Sequence, residues 1–174
     1  MNKPLLAAAV LFSAALGAQN PPAPSGEPFA ALQFLVGTWE AKTEGGSAGA
    51  TSSGTYTFQW ELRKHILARH TAAAGCKAPA DFDCDHSDLL YIYQDPASHA
   101  PKAIYFDNEG HTILYDVSTP APNTAVFVSA ESKTGPQFRL VYQRKERVMH
   151  GKFQMRMPGQ SDFKSYLEWS GEQR

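Results

Sequence analysis

A chain of 174 residues, 43% of them hydrophobic, has the length of one domain with a substantial core. Its net charge of -1 excludes the basic footprint of a nucleic-acid or anionic-membrane binder. Ten Phe, seven Tyr and three Trp favour strands, and thirteen Gly with twelve Pro supply the breaks of a turn-rich fold.

Residues 1–18 read as a signal peptide. Lys3 gives a positive start, Leu5 to Leu16 is apolar, and Ala15-Leu16-Gly17 fits a small-x-small cleavage site. An apolar run of about twelve residues is too short to span a bilayer. No cysteine follows it, so no lipid anchor is expected, and the mature protein should be periplasmic or secreted and free of the membrane. Residues 19–28 carry four prolines and a glycine and read as a flexible lead-in. The folded domain should occupy residues 29–174.

Phe29, Leu32, Phe34, Leu35 and Val36 fall roughly at helical spacing, which predicts a short helix capping the sheet and ending at Gly37. Strands follow over Thr38–Glu44 and Thr55–Leu62. In the second, Tyr56, Phe58, Trp60 and Leu62 alternate with Thr57, Gln59 and Glu61, a period of two. After a turn at Arg63 and Lys64 the chain returns over His65–Thr71. An even-length turn puts His65, Leu67 and Arg69 inside, and an odd one puts Ile66, Ala68 and His70 there. The odd reading is preferred because it buries less charge.

Ala72 to Ser87 reads as a long loop holding both cysteines. Further strands are expected at 89–94, 103–107, 111–117, 124–131, 137–143, 148–156 and 163–170. Asn108-Glu109-Gly110 and Pro158-Gly159-Gln160 supply turns. No segment is long enough for a parallel crossover. The predicted fold is all-β: an antiparallel up-and-down β-barrel of about ten strands with a short N-terminal helix.

Gly37-Thr38-Trp39, the up-and-down strands and Arg174 at the end resemble the calycin superfamily, the lipocalins and fatty-acid-binding proteins. Leu32 to Glu40, together with Tyr56-Thr57-Phe58-Gln59-Trp60, is similar to a family of bacterial lipocalin-like domains of unknown function. It is more distantly similar to the nitrobindin-like haem barrels. The resemblance covers the mature chain and implies a barrel with an internal cavity, without implying an activity.

Cys76 and Cys84 are the only cysteines, eight positions apart in an exported chain, so a disulfide is expected. Asp81, Asp83, Asp85, His86 and Asp88 crowd the same loop but lack the glycine and distal glutamate of a calcium loop. They are read as a solvated acidic loop, with no metal. Ser161-Asp162-Phe163-Lys164 and Lys133-Thr134-Gly135 spell pieces of the penicillin-recognising signature in the wrong order, and no catalytic residue is assigned. His99, His111 and His150 should face solvent.

What remains is the interior. The apolar parity lines it with Trp39, Tyr56, Phe58 and Trp60 from the first strands and Tyr91, Phe106 and Tyr115 from the middle. Phe138, Tyr142, Phe153, Met155 and Trp169 come from the last strands, and Gly151 leaves room. Trp39 should sit under Arg174 as a cation–π pair. These residues are expected to bind a small, largely apolar molecule, with no cofactor. The alternatives are a self-filled core, an enzyme using the cavity with His65 or His70 as base, and a barrel that binds haem through one of them.

Overall fold

Ten strands are present in the computed structural model of the protein, which describes residues 27–80 and 82–174. They are β1 (Gly37–Gly45), β2 (Thr51–Glu61), β3 (Ile66–Lys77), β4 (Asp88–Gln94), β5 (Pro101–Asp107), β6 (Thr112–Ala121), β7 (Thr124–Ser129), β8 (Gln137–Lys145), β9 (Val148–Arg156) and β10 (Lys164–Gln173). Each pairs antiparallel with the next, and β10 returns to pair with β1, so the barrel is closed. The expected signal peptide, most of the lead-in and Asp81 lie outside the described residues. Among the described residues, no helix is long and apolar enough to cross a membrane.

The chain enters through one helical turn, Glu27–Ala30, and a 3-10 turn, Gln33–Leu35. Phe29, Leu32, Phe34 and Leu35 are buried and close one end of the barrel. Trp39 stands directly above this plug, and its indole N–H donates to the Leu35 carbonyl at 2.9 Å. The seam at that end pairs Trp39 with Gln173, while the Arg174 amide donates to the Thr38 carbonyl. Arg174 does not cover Trp39 as expected. Its guanidinium reaches the outward-facing Glu40, because residues 39 and 40 point to opposite faces of the strand.

Register decides the rest. Glu61 pairs with Ile66, so four residues, Leu62 to His65, make the turn between β2 and β3. Leu62, Arg63 and Lys64 all adopt left-handed backbone angles, with φ of 45°, 56° and 69°. The turn is therefore even, and the odd reading is overturned. Trp60 faces Leu67, Phe58 faces Arg69, and both Leu67 and Arg69 point inward and are buried. His65 is exposed at the turn. His70 lies on the outer face, against Glu61 and edge-on to Tyr91. β3 also runs on to Lys77, so Ala72 to Lys77 is strand rather than loop.

The inner face carries Trp39, Tyr56 and Phe58, then Leu90 and Ile92, Ala103, Tyr115, Phe127, Leu140, Tyr142 and Met149, all nearly or fully buried. Two expected lining residues are on the wrong side. Leu90 pairs with Tyr105 and Ile92 with Ala103, so these face inward and Tyr91 and Phe106 face outward. Phe138, Phe153, Met155 and Trp169 are half-buried on the inner face at the end opposite the plug.

Tyr142 fills the middle of the barrel. Phe58, Tyr56, Phe127 and Trp169 pack on its ring with centroids 5.3, 5.9, 6.2 and 5.7 Å away. Each such aromatic side chain stabilises the fold by about 1.5–3 kcal/mol through burial, and the edge-on contacts add roughly 0.5–1.5 kcal/mol apiece.

Candidate functional site

The open end is where the barrel stops being filled by its own side chains. A cavity of about 170 Å³ lies there, with a mostly apolar lining. Its walls come from β1 (Ala41, Thr43), β2 (Gly54, Tyr56), β3 (Thr71, Ala73) and β10 (Leu167, Trp169), with Phe82, His86 and Asp88 on the third side. Cys76 and Cys84 form a disulfide that also borders it, as expected from their spacing. The bond ties the end of β3 to the segment carrying Phe82.

Two glycines explain how large rings fit here. A Cβ on Gly151 would collide with the Trp169 indole, and one on Gly171 would come within 2.8 Å of the Tyr56 hydroxyl. The room that Gly151 leaves is thus occupied by Trp169 rather than left for a ligand. The indole then stands as a cavity wall instead of pointing into it.

Beside the cavity runs a polar network that the sequence reading missed. Arg69, only 5% exposed, donates one guanidinium nitrogen to Asp88 and another to the Tyr142 hydroxyl. Burial works against the Arg69 charge, but Asp88 and Tyr142 together outweigh it and raise its pKa. Burial likewise would raise the Asp88 carboxyl, yet Arg69 and His86 hold it below the usual carboxylate range.

His86 sits between acids. Its Nε2 is 3.4 Å from Asp88 and 3.1 Å from the Tyr105 hydroxyl, and its Nδ1 is 2.8 Å from Glu109. The hydrogen bond to Asp88 raises its pKa to about 9, against the opposing effect of burial and with help from Glu109. At neutral pH His86 is therefore a doubly donating imidazolium. Tyr105 donates in turn to Asp107 at 3.2 Å, and Asp107 also meets His111 at 2.9 Å.

A charged imidazolium with both nitrogens engaged has no lone pair to act as a base or bind a metal. Asp83, His86 and Glu109 do place ligand atoms within 4.8 Å of one another. However, His86 is committed to its acids, and Asp83 already accepts from the Asp85 amide and from Asn108. His65 and His70, the two histidines on which a catalytic or haem reading relied, are both outside the barrel.

Among the described residues, the Tyr56 hydroxyl and Arg69 Nε are buried without a hydrogen bond of ordinary geometry. Tyr56 stands on the cavity wall, and burial, with the neighbouring Tyr142, raises its pKa against the opposing pull of the Trp169 indole beside it, so the hydroxyl is neutral. An unsatisfied buried hydroxyl costs roughly 1–3 kcal/mol. Nothing in the sequence pattern singled out that atom. Asp88 follows from the even turn, which places Arg69 inside and demands a buried acid beside it. The chain matches no protein-family model, and no curated protein is similar to it at a significant level.

Proposed function

We propose that this barrel binds a small, uncharged, largely apolar molecule in the cavity at its open end. The observation that carries this is the cavity itself, a mostly apolar space between Leu167, Trp169 and the Tyr56 ring that the barrel's own side chains leave unfilled. A ligand would lay its apolar body along Leu167 and Trp169, and a hydroxyl on it would reach Tyr56 as the Trp169 indole shifts.

Size narrows the class. An apolar cavity of about 150 Å³ holds one benzene. At about 170 Å³ this cavity takes a single ring or a short branched chain. Charge narrows it further. Arg69 is already neutralised by Asp88, and Asp88 faces the cavity, so a carboxylate would meet a carboxylate. Fatty acids should therefore bind less well than neutral compounds, and haem has neither the room nor a free histidine, since His86 at the cavity is held by Asp88 and Glu109. The lipocalin-like resemblance and the disulfide both support an exported binding protein, whose thiols would be oxidised in the periplasm or outside the cell.

The test is a titration of the protein with phenol, benzyl alcohol, toluene and a fatty-acid series, read by tryptophan emission. Phenol and benzyl alcohol should outbind toluene and the acids. Tyr56→Phe should weaken the alcohols about 2–10-fold, the value of one hydrogen bond, and leave toluene unchanged. Equal binding of all four classes, or no change in emission with any, overturns the reading.

A further inference from the structure

The outer face of β4 and β5 carries a row of apolar side chains, continued by Leu114 of β6, where a barrel wall in water needs polar ones. In β5 the outward residues are Lys102, Ile104 and Phe106, while the inward ones are Ala103, Tyr105 and Asp107. Cross-strand pairing extends the row: Tyr91 lies beside Ile104 and Ile104 beside Leu114, while Leu89 lies beside Phe106. Leu114 is 63% exposed and Phe106 39% exposed, on the flank of a sheet with no element over it among the described residues. A contiguous aromatic and aliphatic patch of this kind marks an interaction surface.

The charges around it select the occupant. Its margins hold Lys102 with Asp116, at 3.2 Å, and His70 with Glu61, at 3.0 Å. Acids match bases, so the patch offers no basic excess to an anionic membrane and no single-sign field to a charged partner. Lys102 and Asp116 stand opposite each other across β5 and β6, so a twofold axis between these strands sets each against the opposite charge of a second copy. We infer that this face is where two copies of the chain associate through a twofold axis. The contact is isologous, with the same patch on both sides.

An axis along the strands, between β5 and β6, fixes the pairing. It sets Ile104 against the partner's Leu114 and Lys102 against the partner's Asp116. Asp116 is well exposed beside Lys102, so both charges are free to exchange partners. The proposal does not depend on the ligand cavity, which lies inside the barrel at its open end.

Sedimentation equilibrium of the protein tests it. The wild type should be dimeric in the micromolar range. Leu114→Glu should raise the dimer dissociation constant at least tenfold without moving the melting temperature of the isolated barrel. Lys102→Glu should also weaken the dimer, and Lys102→Glu combined with Asp116→Lys should restore it, an outcome that a merely apolar contact does not give. A monomer at 100 μM, a dimer indifferent to Leu114→Glu, or binding of the wild type to neutral vesicles in place of self-association overturns the inference.

Discussion

The two ends of the barrel are built by different rules. At the plugged end Trp39, Phe58, Leu67, Ile92 and Met149 are all but sealed from solvent, and every large ring has a ring or a carbonyl to meet. At the open end Phe138, Phe153, Met155 and Trp169 are half-buried, charges enter the wall, and a hydroxyl goes unpaired. The first arrangement maximises burial. The second gives up some burial and keeps a defined void, which is how one chain can hold a stable fold and a binding site together. If that division is right, the same change made at the two ends should have unequal consequences.

The largest effects belong to the sealed end and to the buried ion pair at the boundary. Phe58→Ala should destabilise by about 3–5 kcal/mol, and Phe153→Ala by less than half as much, from urea midpoints at unchanged m. Equal losses would erase the distinction. Arg69→Met leaves the buried Asp88 carboxylate with His86 as its one charged partner and should cost up to about 3–5 kcal/mol, because the better-buried half of its pairing is lost. Arg69→Met with Asp88→Asn should recover at least half of that. A double variant no better than the single would mean that Arg69 stabilises by packing rather than by pairing.

A smaller effect is expected from the disulfide. Replacing Cys76 and Cys84 by Ser opens a short loop and should lower stability by about 2–3 kcal/mol. Because the bond holds Phe82 over the cavity, the change should also increase acrylamide quenching of Trp169, and leave Trp39 shielded behind the plug. Single-tryptophan variants separate the two signals. Increased quenching of Trp39 would show that the loop staples the whole barrel and not its open end.

How much of this was legible in the sequence follows the same division. The closed ten-stranded barrel and the inward parity of Tyr56, Phe58, Tyr142 and Trp169 could be read because alternation is clean where one face is dry. The Gly110 and Gly159 turns were visible because both positions need the left-handed backbone that glycine favours. The turn at Arg63 and Lys64 was visible but its length was not, since Leu62, Arg63 and Lys64 take the same backbone region with no glycine or asparagine to announce it. That one ambiguity hid Arg69, and with it the reason for Asp88. Tyr91 and Phe106 misled for another reason. Their outer face is apolar, so hydrophobic parity pointed away from the core.

The smallest effect is also the most specific to the open end. His86 is held by Asp88 and Glu109 with a pKa raised to about 9, against an unfolded value of roughly 6.5. A group whose folded pKa is raised binds its proton more tightly in the native state. Its contribution to stability is therefore complete below pH of about 6.5 and is lost as pH rises through about 9. Asp88 works in the opposite sense: its folded pKa is lowered, so its contribution is present above the unfolded carboxylate value and disappears as pH falls through the folded one. Between those limits the network is intact, and the melting temperature should be highest from about pH 5 to 6.5 and decline toward pH 9. In His86→Gln the decline above pH 6.5 should vanish, because the glutamine has no proton to lose over this range. His86 also borders the cavity, so binding of a neutral alcohol should shift over the same interval as the imidazolium surrenders its proton and its contacts with Asp88 and Glu109 weaken. Trp39 emission, reporting from the sealed end, should stay constant while the protein remains folded. Wild-type and His86→Gln melting curves that superimpose from pH 6.5 to 9 would remove His86 from the network's energetics, and with it the claim that charge at the open end is held in place by design of the fold rather than by solvent.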